Sequence, residues 1–278
     1  MTMQVGLQLY ALREQMKEDL AGTLKKVAEA GYKQIEIADR MGKSVQEMKA
    51  LLEETGLNLM GAHIGSADLD SIKAELEYYG ELGVKYLVCG NDFFPYGVPG
   101  EVLKRCTVYN RVGEICRENG VTLCYHNHFQ EFQRLCRIPA MEWILENTDP
   151  AFMSLELDVY WSSRAGIDTV EFLKRYIDRV AILHLKDFPA DAPQKLDMFD
   201  GVVLPYQQLS NEAFDLVSDK RLFTELGDGI LPLKEMIEMG KAAGVPWTVI
   251  DQDSTQIDPY DSIRRNKAFL EQFDGLTF

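Results

Sequence analysis

Short apolar segments alternate with longer helical patterns eight times along this chain, and this alternation limits the fold more than any other feature. The eight segments have the length and apolar character of buried strands, and they cover residues 5–10, 34–38, 57–63, 84–89, 121–125, 153–158, 180–185 and 247–250. Eight strand–helix units are the number that closes a parallel (β/α)8 barrel, the TIM-barrel fold of the α/β class. An open, doubly wound sheet is the alternative, but it seldom needs eight strict units, and no GxGxxG turn follows the first strand.

The predicted helices have recognisable ends. Ser44 can cap a helix, with Glu47 completing a capping box, and Gly56 is a natural stop. No linker or shift in composition divides the chain, so we predict one barrel domain over residues 1–278. After the seventh strand about forty residues pass before the next helix, and we expect this segment to form a lid or a partner contact. The predicted helices cover residues 20–30, 44–56, 71–82, 101–119, 140–146, 169–178, 233–243 and 260–273.

The formal net charge of -15 argues against several partners. A phosphate-backbone binder needs a basic footprint, and an acidic surface is repelled by anionic membranes. No apolar run approaches the ~20 residues of a membrane span, and the first residues lack the basic-then-apolar layout of a signal peptide. The five cysteines contain no CxxC pair. We therefore expect a cytoplasmic protein with reduced, buried thiols and no nucleic-acid or membrane partner.

Polar residues that can bind metals gather where the predicted strands end. All four histidines, His63, His126, His128 and His184, lie at strand carboxyl ends, which is where the active site of such a barrel lies. Imidazole nitrogens and carboxylate oxygens that converge on one cavity are suited to a divalent cation. A hydrogen-bonded polar plug without metal is the alternative. The carboxylates at the same ends are Glu36, Glu156, Asp158, Asp251 and Asp253.

The two-residue period of a strand sorts these residues into pairs. His126 and His128 share a face, as do Glu156 and Asp158, His184 and Lys186, and Asp251 and Asp253. We expect one member of each pair to be a metal ligand, and the other to lie deeper or one step towards substrate.

The motifs resemble those of the xylose isomerase-like barrels, the sugar phosphate isomerase/epimerase group that also contains endonuclease IV and inosose dehydratase. The resemblance spans the chain and is specific for the superfamily but not for a substrate. It is carried by Tyr125-His126-Asn127-His128, Glu156-Leu157-Asp158-Val159-Tyr160-Trp161, His184-Leu185-Lys186-Asp187 and Asp251-Gln252-Asp253, with support from residues 7–13 and 225–229.

The resemblance implies a ligand set for Mn, Mg, Co or Zn. The family uses Glu, Asp, His and Glu from strands five to eight, which on this chain correspond to His126, Asp158, His184 and Asp251. Two positions depart from the family, because histidine replaces glutamate on strand five and aspartate replaces glutamate on strand eight. In epimerases of the family both glutamates also move the substrate proton, so the replacement at His126 puts that mechanism in question.

The resemblance further implies a sugar isomerase or epimerase that acts on a small keto-sugar or polyol. The metal would polarise a carbonyl while a base removes the proton from the adjacent carbon. His128, Glu156 and Asp251 are the candidate bases, and Lys186 is the candidate oxyanion stabiliser or proton donor. Proton return to the neighbouring carbon gives isomerisation, return to the other face gives epimerisation, and loss of a β-hydroxyl gives dehydration.

Five further residues are weaker candidates for substrate binding: Tyr10, Glu36, His63, Trp161 and Glu225. An inosose-type dehydratase, a keto-glycoside lyase and a metal-free sugar-binding barrel remain alternatives, as does a barrel without activity. A DNA-repair endonuclease is disfavoured by the acidic charge. No glycine-rich phosphate loop follows strands seven or eight, which favours a substrate without phosphate. The oligomeric state is open, with a homo-oligomer among the options.

Overall fold

Eight parallel strands close into a barrel. The computed structural model describes residues 2–204 and 207–278. Each strand pairs with the next, and the last pairs with the first, so the predicted (β/α)8 barrel is confirmed. The strands are β1 (Met3–Gln8), β2 (Gln34–Ile37), β3 (Asn58–Gly65), β4 (Tyr86–Gly90), β5 (Thr122–His126), β6 (Met153–Asp158), β7 (Val180–Leu185) and β8 (Trp247–Ile250).

The helices surround this barrel, and several begin and end at the predicted residues. Ser44 and Glu47 form the predicted capping box, and Gly56 ends that helix in the left-handed conformation with φ of 70°. The helices are α1 (Arg13–Glu18), α2 (Leu20–Glu29), α3 (Val45–Thr55), α4 (Ile72–Glu81), α5 (Pro99–Glu118), α6 (Ala140–Glu146), α7 (Val159–Arg164), α8 (Thr169–Tyr176), α9 (Glu212–Asp215), α10 (Leu233–Ala243) and α11 (Pro259–Leu270).

Some features differ from the prediction. The short helices α1, α7 and α9 were not predicted, and a two-residue strand, Leu276–Thr277, pairs in parallel with the first residues of β1. Helix α7 begins where β6 ends, because the Asp158 side chain accepts a hydrogen bond from the Trp161 amide at 2.7 Å. Four cysteines are buried as expected, but Cys136 is exposed. Among the described residues, no helix is long and apolar enough to cross a membrane.

The barrel interior changes from apolar to polar towards the carboxyl ends of the strands. A small apolar cluster inside the barrel contains Met60, Val88, Cys124, Ile182 and Val249. Since alternate residues share a face, His126 follows Cys124 on the inner face, His184 follows Ile182, and Asp251 follows Val249. The sequence therefore places a polar layer directly on an apolar base.

Candidate active site

Three imidazoles surround one buried carboxylate inside the barrel. Glu156 Oε1 lies 3.0 Å from His63 Nε2, 3.1 Å from His126 Nδ1 and 3.1 Å from His184 Nε2. Strands β3, β5, β6 and β7 each contribute one of these residues. We call His63, His126, Glu156 and His184 the inner group, and its donor atoms all lie within 4.8 Å of one another.

Glu36 of β2 adjoins the inner group. Its Oε2 lies 3.1 Å from His63 Nε2 and 2.9 Å from His184 Nε2, and it accepts a hydrogen bond from Gln8 Nε2 at 2.9 Å. A Cβ on Gly61, the residue that pairs with Glu36 on β3, would lie 2.6 Å from Glu36 Oε1. Glycine at this point in the strand therefore makes room for the Glu36 carboxylate.

A buried ammonium occupies the next layer towards the mouth. Lys186 Nζ lies 2.7 Å from Asp158 Oδ2, 2.6 Å from Asp251 Oδ2 and 3.2 Å from Asp253 Oδ2. These are charge-assisted contacts, and the Lys186 side chain is only 1% exposed. His184 joins the two layers, because its Nδ1 lies 3.1 Å from Asp251 Oδ2.

The structure brings together the four predicted metal ligands. The donor atoms of His126, Asp158, His184 and Asp251, which we call the outer group, also lie within 4.8 Å of one another. His126 and His184 belong to both groups. The two carboxylates of the outer group are the ones that contact Lys186.

Burial and neighbouring charges determine the protonation of the inner group. Burial raises the pKa of the Glu156 carboxyl to about 7, and the charge of Glu36 adds to this effect. Burial also favours the neutral form of Glu36, but the His63 and His184 rings outweigh it and lower the pKa of that carboxyl. Burial alone would lower the pKa of His184, but Glu156 and Glu36 raise it well above its usual value. The site therefore attracts positive charge.

Burial and neighbouring charges also determine the protonation of Lys186 and the aspartates around it. Burial alone would lower the pKa of Lys186, but Asp158 and Asp251 raise it well above its usual value. Burial raises the pKa of Asp158, whereas for Asp251 the effect of burial is outweighed by Lys186, and the net pKa is lowered. Lys186 is thus a permanent cation among carboxylates.

Several polar atoms of the inner group and of the adjoining Glu36 lack hydrogen bonds. Among the described residues, both carboxylate oxygens of Glu156, Oε1 of Glu36 and Nδ1 of His126 are buried without a hydrogen-bond partner. Buried polar groups are usually hydrogen-bonded. Glu156 Oε1 has imidazole nitrogens at 3.0–3.1 Å but no hydrogen bond to them, so this carboxylate is incompletely satisfied in a dry interior, which is costly. A divalent cation would satisfy these atoms, since imidazole nitrogen and carboxylate oxygen are its usual ligands. The residues therefore fit the predicted metal.

A cavity of about 390 Å³ adjoins these charged residues. Its volume is within the range of small-molecule sites. His63, His126, His128 and Asp251 line it, as does Asp253. Glu156, His184 and Lys186 are not among its lining residues in the described part of the chain. Substrate in the cavity would therefore meet one edge of each charged layer.

Aromatic residues form the wall of the cavity. Tyr10 and Trp161, both predicted to bind substrate, line it, and Trp161 Nε1 is buried without a hydrogen-bond partner in the described structure. Phe214 of α9 covers His128 edge-on, with ring centroids 5.3 Å apart. Helix α9 belongs to the long segment after β7, so part of that segment roofs the cavity.

Glu225 lies outside the cavity. It is 6% exposed and accepts a hydrogen bond from Thr255 Oγ1 at 2.6 Å, which joins the loops after β7 and β8. Asp187, which belongs to the motif at the end of β7, accepts hydrogen bonds from the amides of Gly227, Gly229 and Leu231. These two acids hold loops in the structure.

Sequence reasoning missed some cavity residues. Arg13, Asn91, Asn211, Phe214 and Ser218 line the cavity, but they come from loops and from the helices α1 and α9, which are too short to show a helical period in the sequence. Asn91 did carry a local signal, since asparagine directly after a strand adopts the left-handed conformation readily, and its φ is 67°.

Comparison with known proteins identifies the family to which this barrel belongs. The family model for the xylose isomerase-like TIM barrel matches residues 24–272. An inosose dehydratase of Geobacillus kaustophilus is 25% identical in an alignment 279 residues long, which covers 90% of this chain and 85% of that protein. A sugar phosphate isomerase/epimerase structure from Parabacteroides distasonis has a TM-score of 0.76 at 20% identity, covering 100% of this chain and 96% of the other. The structure of an IolI protein with a bound zinc atom has a TM-score of 0.71 at 16% identity and covers 97% of each chain. The chain therefore belongs to the xylose isomerase-like TIM barrel family.

Proposed function

We propose that this chain is a metal-dependent enzyme that acts on a small keto-sugar or polyol and removes a proton from a carbon next to a carbonyl. The observation that carries the proposal is the cavity itself. It is lined by the imidazoles of His63, His126 and His128 together with the carboxylates of Asp251 and Asp253. Its size suits a small polyhydroxylated molecule, and its aromatic wall suits the apolar face of a sugar ring.

The pair His126 and His184 would hold the metal, because both candidate ligand groups contain it. A bound divalent ion supplies Lewis acidity at the carbonyl oxygen of the substrate. The protein itself must then bind the substrate, position the base and exclude water.

His128 and Asp251 are the better placed of the predicted bases, because both line the cavity, whereas Glu156 is buried behind its lining. His128 is neutral at pH 7, since burial and the charge of Lys186 lower its pKa to about 3. Its Nδ1 has no hydrogen-bond partner among the described residues and is free to accept one from a substrate hydroxyl. We assign proton abstraction to Asp251, with Asp253 beside it, and orientation of the substrate to His128.

Lys186 acts through these carboxylates. Its ammonium contacts Asp251 and Asp253, so it fixes the position of the base and keeps it ionised. This makes Lys186 a positioning residue in the proposed reaction.

Dehydration is the second candidate, favoured by the inosose dehydratase relative that matches along 90% of this chain. The two reactions share proton abstraction and diverge afterwards. Isomerisation or epimerisation returns the proton to carbon, whereas dehydration expels a β-hydroxyl, which leaves with a proton as water.

The test is incubation of metal-loaded protein with free keto-sugars and inososes in D2O. Deuterium incorporation next to the carbonyl without loss of water supports isomerisation or epimerisation. A product that has lost one water supports dehydration. Metal-stripped protein and the Asp251→Asn variant are the controls, and both should be slower by at least about 100-fold. Absence of metal-dependent exchange and of dehydration with every substrate would refute the proposal.

A further inference from the structure

One metal cannot use the inner and outer groups at the same time, because both require His126 and His184. The two groups differ in what already contacts their ligand atoms: in the inner group, Glu36 Oε2 hydrogen-bonds to His63 Nε2 and His184 Nε2, whereas in the outer group a buried cation pairs with both carboxylates. In the outer group, the ammonium of Lys186 contacts Asp158 at 2.7 Å and Asp251 at 2.6 Å. A metal there would have to displace a buried cation from both of its ligand carboxylates. Breaking buried ion pairs in this way is costly.

The inner group contains the atoms that need a partner. In the described structure, Oε1 and Oε2 of Glu156 and Nδ1 of His126 have no hydrogen bond, and Glu156 is 0% exposed. No side-chain oxygen of Asp158 or Asp251 is in this condition among the described residues. The carboxylate oxygens without hydrogen bonds therefore belong to Glu156, on the inner side of the shared histidine pair, and not to the ligands of the outer group.

The spacing of the inner group suits a small four-coordinate ion. Ligands at ~2.0 Å from a tetrahedral metal are separated from one another by about 3.3 Å. Glu156 Oε1 lies 3.0 to 3.1 Å from a nitrogen of each of the three histidines. All four donor atoms lie within 4.8 Å of one another, so binding would draw the more distant nitrogens closer around the ion.

The two nitrogens of His184 also have suitable partners. Its Nε2 faces Glu156 and Glu36, while its Nδ1 lies 3.1 Å from Asp251 Oδ2. Metal-bound histidines almost always donate the other ring N–H to a carboxylate or carbonyl, which fixes their tautomer and orientation. With the metal on Nε2, Asp251 is that carboxylate. With the metal in the outer group, Nδ1 would be the ligand nitrogen, and Asp251 would have to be a ligand itself.

We infer that the metal of this chain is held by His63, His126, Glu156 and His184, while Lys186 occupies the position between Asp158 and Asp251. The inference rests on the proposed function only for the presence of a divalent metal. His63 and His126 line the cavity, so substrate can reach the ion, as a catalytic site requires. Three imidazoles select zinc or cobalt over magnesium, which prefers oxygen ligands.

The experiment is metal binding by a matched pair of variants. Glu156→Gln and Asp158→Asn remove one carboxylate charge each from fully buried positions two residues apart on β6. The full-length proteins are stripped with a chelator and titrated with Zn²⁺ against a chromophoric competitor. Metal content is then measured after dialysis, and Co²⁺ absorption spectra are recorded.

We expect Glu156→Gln to weaken zinc binding by more than about 100-fold, because it loses a ligand. Asp158→Asn should weaken it by less than ~10-fold, because the Asp158 carboxylate contacts Lys186 and the Trp161 amide, whereas losses of about 10–100-fold are typical of groups bonded directly to a metal ligand. The Co²⁺ spectrum should change in Glu156→Gln and persist in Asp158→Asn, and excess Mg²⁺ should not displace Zn²⁺. Far-UV circular dichroism of the metal-free proteins checks folding. If Glu156→Gln does not fold, His63→Ala provides the same test at a side chain that is 21% exposed.

Loss of zinc from Asp158→Asn together with retention by Glu156→Gln would overturn the inference and place the metal in the outer group. That result would leave the proposed metal-dependent reaction intact. Wild-type protein that binds no zinc or cobalt would also overturn the inference. In contrast, zinc bound as expected with no turnover of any keto-sugar or inosose would refute the proposed function and leave the metal position standing.

Discussion

Lys186→Met tests how much the buried ammonium contributes to stability. Methionine has similar length and no charge, so the substitution leaves Asp158, Asp251 and Asp253 without their common partner at a position that is 1% exposed. Removing one partner of a buried ion pair costs about 3–5 kcal/mol. A chain of 278 residues has an unfolding entropy of about 0.6 kcal/mol/K. The melting temperature of the metal-free protein should therefore fall by roughly 5–9 °C.

Lys104→Met is the matched control. Lys104 Nζ lies 2.6 Å from Glu101 Oε1, the same distance that separates Lys186 Nζ from Asp251 Oδ2. The Lys104 and Glu101 side chains, however, are 74% and 41% exposed. Exposed pairs contribute about 0–1 kcal/mol, so this variant should melt within about 2 °C of the wild type. Scanning calorimetry of the three metal-free proteins decides the matter. Equal melting temperatures for the two variants would show that burial of the Lys186 cluster does not determine its contribution.

Three further outcomes are expected. Burial raises the pKa of Glu131 to about 8, so the folded state retains a proton that the unfolded state loses above about pH 4.5, and wild-type stability declines between these values. Glu131→Gln removes this decline, so the melting temperature of the variant minus that of the wild type should increase from pH 5 to pH 8. The same difference at both pH values would contradict the raised pKa of Glu131. In Gly113→Ala the added Cβ would lie 2.0 Å from the Phe152 carbonyl oxygen, which should cost about 1–3 kcal/mol in a melting experiment while zinc content stays unchanged. Phe214→Ala removes the ring that covers His128, and we expect KM for the keto-sugar to rise about 5–10-fold at constant metal content; an unchanged KM would exclude Phe214 from the substrate wall.

The fold was predictable because local signals and burial agree along most of the chain. Strands β6, β7 and β8 and helices α6 and α10 have the predicted bounds. Continuous apolar runs, capping residues and glycines mark their ends without reference to distant parts of the chain. Helix α7 was missed because Asp158 ends a strand, caps a helix and contacts Lys186. A residue that serves three partners carries no local sign of more than one.

The composition of the site was also predictable, since a parallel barrel brings all strand ends to one mouth. The partner of each charged group was not. His63, a predicted substrate contact, lines the cavity, and the sequence did not show that its Nε2 also lies within 3.1 Å of both Glu36 and Glu156. Lys186 was predicted to act on the substrate, yet it is buried among three aspartates. Sequence gives the face of each residue, but depth in the barrel depends on the stagger of neighbouring strands, and β3 is irregular on both of its sides.

The two-residue period explains how one barrel mouth can hold two kinds of positive charge. On β6, Glu156 and Asp158 face inwards one pleat apart, and on β7 His184 and Lys186 do the same. A two-residue step along a strand is about 6.6 Å, so it divides the groups into a deeper layer and a layer nearer the mouth. Each layer has its own carboxylates, and an ion in the inner group would therefore not compete with the ammonium of Lys186 for the same oxygens. A histidine at position 126, where the resemblance to the family implies a glutamate, would have the same effect: it would add a neutral ligand to the inner layer and leave the outer carboxylates to Lys186. Substitutions at His126 and Lys186 should consequently be coupled, because each determines which layer the metal can occupy.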